Sequence, residues 1–87
     1  MSNDRSRAQD YIHLLAATNR AISRALADGD RNAKHAPGSW IKETMDEQLK
    51  HIEAHITQYE CGDRNEDHLA HIVCRAAIAF ALRERKA

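Results

Sequence analysis

Asn65-Glu66-Asp67-His68-Leu69-Ala70-His71-Ile72-Val73-Cys74-Arg75 is the stretch whose reading decides the fold. Its continuation is apolar: from Leu69 to Leu82 the only strongly polar side chains are His71 and Arg75. No glycine or proline interrupts that run, so it reads as a helix. A helix apolar nearly all round is buried on more than one side. Asp63 or Asn65 supplies an N-cap oxygen, and the predicted helix covers about residues 66–84.

The turn before it, Glu60 to Asn65, is short, and Gly62 suits the left-handed position that ends a helix. The preceding helix, over about residues 40–59, is therefore an antiparallel neighbour. Its seam is Ile41, Met45, Leu49, Ile52, Ile56 and Tyr59, with Ser39 as the expected cap. Along one edge run Glu43, Glu47, His51 and His55, each four residues after the last. Residues 28–39 carry Gly29, Asn32, Pro37 and Gly38 and read as the long loop. Ahead of them, Ala8, Tyr11, Ile12, Leu15, Ile22, Ala25 and Leu26 mark a first helix over about residues 4–27.

The expectation is a single all-α domain over residues 1–87, a three-helix antiparallel bundle. Two neighbours in so small a subunit hardly cover the third helix, so a homodimer or larger oligomer completes the core. Ala70, Ala76, Ala77, Ala79 and Ala81 permit close helix approach.

Composition narrows the function. Thirteen basic and 13 acidic residues give zero formal charge, which argues against an extended nucleic-acid or membrane surface. No apolar run has the length of a membrane span, and Met1 to Arg5 lead into no signal core. Cys61 and Cys74 have no metal-ligand spacing and read as reduced thiols of a cytoplasmic protein. The outlier is histidine: six in 87 residues, with His51, His55, His68 and His71 close together in the sequence.

His68, His71 and Arg75 share one narrow sector of the third helix at about 100° per residue. The antiparallel pairing brings His51 and His55 towards His68 and His71, with Asp63, Glu66 and Asp67 at the same end. Two uses fit this constellation. Imidazole and carboxylate are ligands for divalent metals, which points to His51, His68 and His71. Protonated histidine and Arg75, near a helix N-terminus, suit phosphate; His55, Lys34 and Trp40 are further candidate contacts for a nucleotide. Glu47 and Asp67 are the candidate catalytic carboxylates.

Several short motifs occur in a telling order. Gly29 precedes a loop ending in Ser39-Trp40. A helix then carries Lys50-His51-Ile52-Glu53-Ala54-His55. Gly62-Asp63, Glu66-Asp67 and His68-Leu69-Ala70-His71 follow. Over roughly residues 21–82 this order resembles the phage and bacterial dATP/dGTP diphosphohydrolase-like domain, which is similar to the all-α MazG-like nucleoside triphosphate pyrophosphohydrolases. The resemblance implies a purine nucleotide ligand, cleavage between the α- and β-phosphates, a divalent metal and an oligomer. In a phage it implies action in the host cytoplasm. The MazG-like carboxylate pairs are not kept: His68-x-x-His71 stands at the second pair, so the implied ion is Mg²⁺, Mn²⁺ or a softer one. Two other readings stay open. One is a non-catalytic sponge for a cyclic or ADP-ribose-type nucleotide signal, an anti-defence role. The other is a helical oligomeric interaction module.

Overall fold

In the computed structural model, residues 3–31 and 38–86 are described. Three α-helices make up the fold: α1 (Asn3–Arg31), α2 (Met45–Glu60) and α3 (His68–Lys86). A 3-10 turn, Ser39–Lys42, precedes α2, and no strand occurs among the described residues. The architecture is all-α. The pairings of His55 with His68 and of Glu43 with Arg75 run in opposite chain directions, so α2 and α3 are antiparallel. The helix α3 is the one against which both others pack.

Each boundary has a local cause. The first helix continues through Gly29 to Arg31, four residues past the expected end. A glycine inside a helix costs about 1 kcal/mol relative to alanine. Just before that glycine, Asp28 accepts a hydrogen bond from His71 Nε2 at 3.3 Å and ties this end of α1 to α3. Trp40 belongs to the 3-10 turn and not to α2, and Glu43 is extended at φ −81°, ψ 151°. The true cap of α2 is Thr44. Its Oγ1 accepts from the Glu47 N–H at 3.1 Å, and Glu47 Oε1 accepts from the Thr44 N–H at 3.4 Å, a capping box. Gly62, at φ 92°, ends the α2 turn as expected, donating its N–H to the Tyr59 carbonyl at 3.0 Å. Asp67, not Asp63 or Asn65, caps α3: its Oδ1 accepts from the Ala70 N–H at 3.1 Å. Asp63 is unavailable because its carboxylate faces His68.

The core is thin. Its buried apolar members are Ala25, Ala70, Cys74, Ala79 and Leu82. The largest fully enclosed side chains are polar, Gln48 and His68. Meanwhile Tyr11, Ile12, Leu14, Leu69 and Phe80 each keep half or more of their surface exposed. The radius of gyration is 15.0 Å, against about 12 Å for a compact chain of this length. Much of the apolar face of α1 and part of that of α3 are therefore uncovered within one subunit. Burial of Cys74 pushes its thiol pKa up, as suits a small core residue.

Candidate functional site

The short turn between α2 and α3 carries the site. It sets the penultimate turn of α2, which bears His55, beside the first residue of α3, His68. Their Nδ1 atoms stand 2.9 Å apart. His68 Nε2 lies 2.5 Å from Asp63 Oδ2, in the turn itself. An ionised carboxylate only accepts, so His68 Nε2 carries a proton. In the neutral ring His68 Nδ1 is then the acceptor, and His55 Nδ1–H donates to it. The three groups form a hydrogen-bonded chain, His55–His68–Asp63, with His68 wholly buried.

Charge and burial follow this order. The hydrogen bond from His68 holds the Asp63 carboxyl below its ordinary pKa. Burial, then the nearby His71 and His68, pulls the His55 pKa down, so His55 is neutral at pH 7. His71 stacks on His55 with ring centroids 5.0 Å apart and planes 15° apart. Its far nitrogen is tied to Asp28 of α1. A second tie from α1 to this end of α3 is the Arg24–Asp67 pair at 3.3 Å. Glu66 completes the cluster: one ligand atom each from His55, Glu66 and His68 lie within 4.8 Å of one another.

The cluster borders an open cleft of about 730 Å³, lined by Asp28, Tyr59, Arg64, Asn65, Glu66, Asp67 and His68. Drug-sized and cofactor ligands occupy spaces of about 300–1,000 Å³. The Arg64 guanidinium lies 3.8 Å over the Tyr59 ring and donates to the Tyr59 and Asp63 carbonyls at 2.8 Å. A flat cation–aromatic wall results.

Of the residues singled out from the sequence, the structure brings His55, His68, His71 and Asp67 to this end. His51 is exposed, its Nε2 4.0 Å from Glu43 in a separate cluster. There, Arg75 Nη1 donates to Glu43 Oε2 at 3.1 Å and to Gln48 Oε1 at 3.0 Å. Gln48 Nε2 in turn donates to Glu43 Oε2 at 2.9 Å. Glu47 is engaged by its cap at the far end of α2, and Trp40 is half-buried in the 3-10 turn away from the cleft lining. Lys34 lies outside the described residues. Asp28 and Tyr59 were not legible as site members. Asp28 is 43 positions from the histidine it binds, and Tyr59 reads as the last residue of an apolar seam.

The family model described as "dATP/dGTP diphosphohydrolase, N-terminal" matches residues 2–87. The chain belongs to this family. No curated protein and no solved structure matches it. In this dATP/dGTP diphosphohydrolase N-terminal domain, the Glu66-Asp67 and His68-Leu69-Ala70-His71 motifs lie at the cleft and its histidine cluster, whereas Ser39-Trp40 and His51 lie away from it. No helix among the described residues is long and apolar enough to cross a membrane.

Proposed function

We propose that this domain binds purine deoxynucleoside triphosphates in the Asp28–Tyr59–His68 cleft and takes part in their hydrolysis to the monophosphate and pyrophosphate. The observation that carries the reading is the cleft itself: nucleotide-sized, flanked by a flat Arg64–Tyr59 wall, and bordered by the His55–His68–Asp63 chain. The family description supports a nucleotide as the ligand. In the reaction, water adds to the α-phosphorus, the bond to the α,β-bridging oxygen breaks, and pyrophosphate leaves with that oxygen.

The chain's own residues have distinct parts in this reading. Arg64 and Asn65 bring donors to the cleft mouth and face phosphate oxygens. Asp28, Glu66 and Asp67 bring acceptors suited to purine amino groups and the sugar hydroxyl. Three carboxylates on the wall repel a bare triphosphate, so the nucleotide enters with its own divalent counter-cation. The resemblance also implies a resident metal held by helical carboxylates. The described residues do not fit that donor set. Asp28 is bonded to His71, Asp67 to Arg24 and to its own helix, and the converging trio contains two imidazoles.

The test is incubation of the full chain with dATP, dGTP and dTTP in Mg²⁺ or Mn²⁺, with products separated by ion exchange. Equal yields of monophosphate and pyrophosphate from the purine nucleotides, lost in His68→Ala, are expected. A purine nucleotide bound tightly but recovered intact would select the sponge reading instead. If no nucleotide is bound or cleaved, both fail. We also propose self-association through the uncovered apolar faces of α1 and α3, in the cytoplasm where triphosphates are found. Light scattering showing a monomer throughout the micromolar range would overturn the self-association.

A further inference from the structure

We propose that His55, Glu66 and His68 form a three-ligand site for a borderline transition-metal ion, Zn²⁺ foremost, with Asp63 as the carboxylate that orients His68. The site stands on geometry alone; its use in phosphate chemistry rests on the nucleotide reading above.

Three observations converge on it. First, the facing Nδ1 atoms of His55 and His68 come from two different helices and stand 2.9 Å apart. Two imidazole nitrogens bound at about 2.0–2.1 Å to one tetrahedral ion are roughly 3.3 Å apart. The pair needs to open by only a few tenths of an ångström to admit an ion between them. Glu66 offers its carboxylate within 4.8 Å of both rings.

Second, the outer partner is already in place. Metal-bound histidines nearly always donate their other ring N–H to a carboxylate or carbonyl, which fixes the tautomer and turns the lone pair to the metal. The 2.5 Å contact from His68 Nε2 to Asp63 Oδ2 does this for His68. The ring is wholly buried, so it is also locked in orientation.

Third, the donor chemistry is selective and the site is open. Mg²⁺ demands oxygen donors in a near-octahedral array; two imidazoles and one carboxylate suit Zn²⁺, Co²⁺ or Ni²⁺. Three protein ligands leave a coordination position for water or substrate. Glu66 and His68 both line the cleft, so that position faces the space assigned to the nucleotide.

The test is calorimetric titration of the metal-free, untagged chain with Zn²⁺, and with Mg²⁺ as control, in the absence of nucleotide. One equivalent of Zn²⁺ is expected to bind, and Mg²⁺ to give no heat. Co²⁺ should produce the visible absorption of a low-coordinate nitrogen–oxygen site. Binding should disappear in His55→Ala and weaken in Glu66→Gln, with the folding of each variant checked by circular dichroism. It should weaken about 10- to 100-fold in Asp63→Asn, and be unchanged in His51→Ala. If His68→Ala fails to fold by circular dichroism, the His55 and Glu66 variants carry the test. Absence of stoichiometric Zn²⁺ binding, or binding unaffected by both His55→Ala and Glu66→Gln, overturns the proposal. Because nucleotide is absent, either result leaves the hydrolysis reading to its own assay.

Discussion

Two polar clusters are sunk into the α2–α3 interface, and they differ in kind. One is Arg75 with Glu43 and Gln48; the other is His55 with His68 and Asp63. In the first, donor and acceptor roles are fixed by chemistry, since a guanidinium only donates and a carboxylate only accepts. Such a network holds two elements in register. In the second, each facing ring nitrogen can hold or give up a proton, and the chain ends beside a cleft. Burial of polar groups alone does not mark a functional site. The two clusters differ in whether the partners' roles are fixed and whether the group reaches open space.

The sharpest way to break that comparison is at Arg75. Its side chain and that of Glu43 are each about 15 % exposed. Arg75→Ala takes the guanidinium away from Glu43 and Gln48, which keep the Gln48–Glu43 hydrogen bond. Losing one member of a buried pair costs about 3–5 kcal/mol. For a domain this size that lowers Tm by more than about 10 °C, measurable by circular dichroism. At temperatures where the variant stays folded, Zn²⁺ binding at the other cluster should be retained. Loss of the metal without loss of stability would show that Arg75 belongs to the site.

The histidine cluster should answer to pH instead. His55 has a folded pKa below its ordinary 6.5. The unfolded chain therefore binds more protons than the folded one as pH falls through that window, so stability rises with pH up to about 6.5 and then levels. Asp63, held low by His68, contributes stability above its ordinary pKa that is lost only as pH falls through its folded value, well below the His55 window. His55→Gln should flatten the Tm profile just below pH 6.5 and leave the more acidic limb. A profile unchanged in that variant would mean that the His55 environment does not disfavour its charge.

Much of this was readable from the residues, and the exceptions have physical reasons. The apolar run after Leu69 made α3 a helix, and Gly62 fixed the turn that pairs it with α2. The His68–His71 spacing pointed to the end of the molecule that borders the cleft. It did not tell His55 from His51, because four-residue spacing defines an edge without saying which turn of it meets the neighbour. Once Thr44 caps α2, Glu43 leaves the helix, and its carboxylate reaches Arg75 and draws His51 to that cluster. Thr44-x-x-Glu47 has the capping-box pattern, but a seam continuing back to Ile41 with Ser39 ahead of it placed the helix start too early. Asp28 was not legible: its partner His71 is 43 positions away, and only the packing of α1 on α3 brings the two together.

The smallest expected effects test Glu47, the candidate catalytic carboxylate at the start of α2. Thr44→Ala removes the oxygen that accepts the Glu47 N–H and should cost about 1 kcal/mol, seen as a shift of the urea midpoint with the slope unchanged. Glu47→Gln should do almost nothing, because glutamine fills the third position of a capping box nearly as well as glutamate. The pair of variants separates two roles for Glu47. A general base contributes about 100-fold or more to rate, and its amide cannot take a proton from water. If Glu47 serves the helix start, Glu47→Gln keeps both stability and nucleotide turnover, and only Thr44→Ala moves the midpoint. If turnover falls by two orders of magnitude at unchanged midpoint, the catalytic centre reaches to the opposite end of α2, and the division between the two clusters drawn here fails.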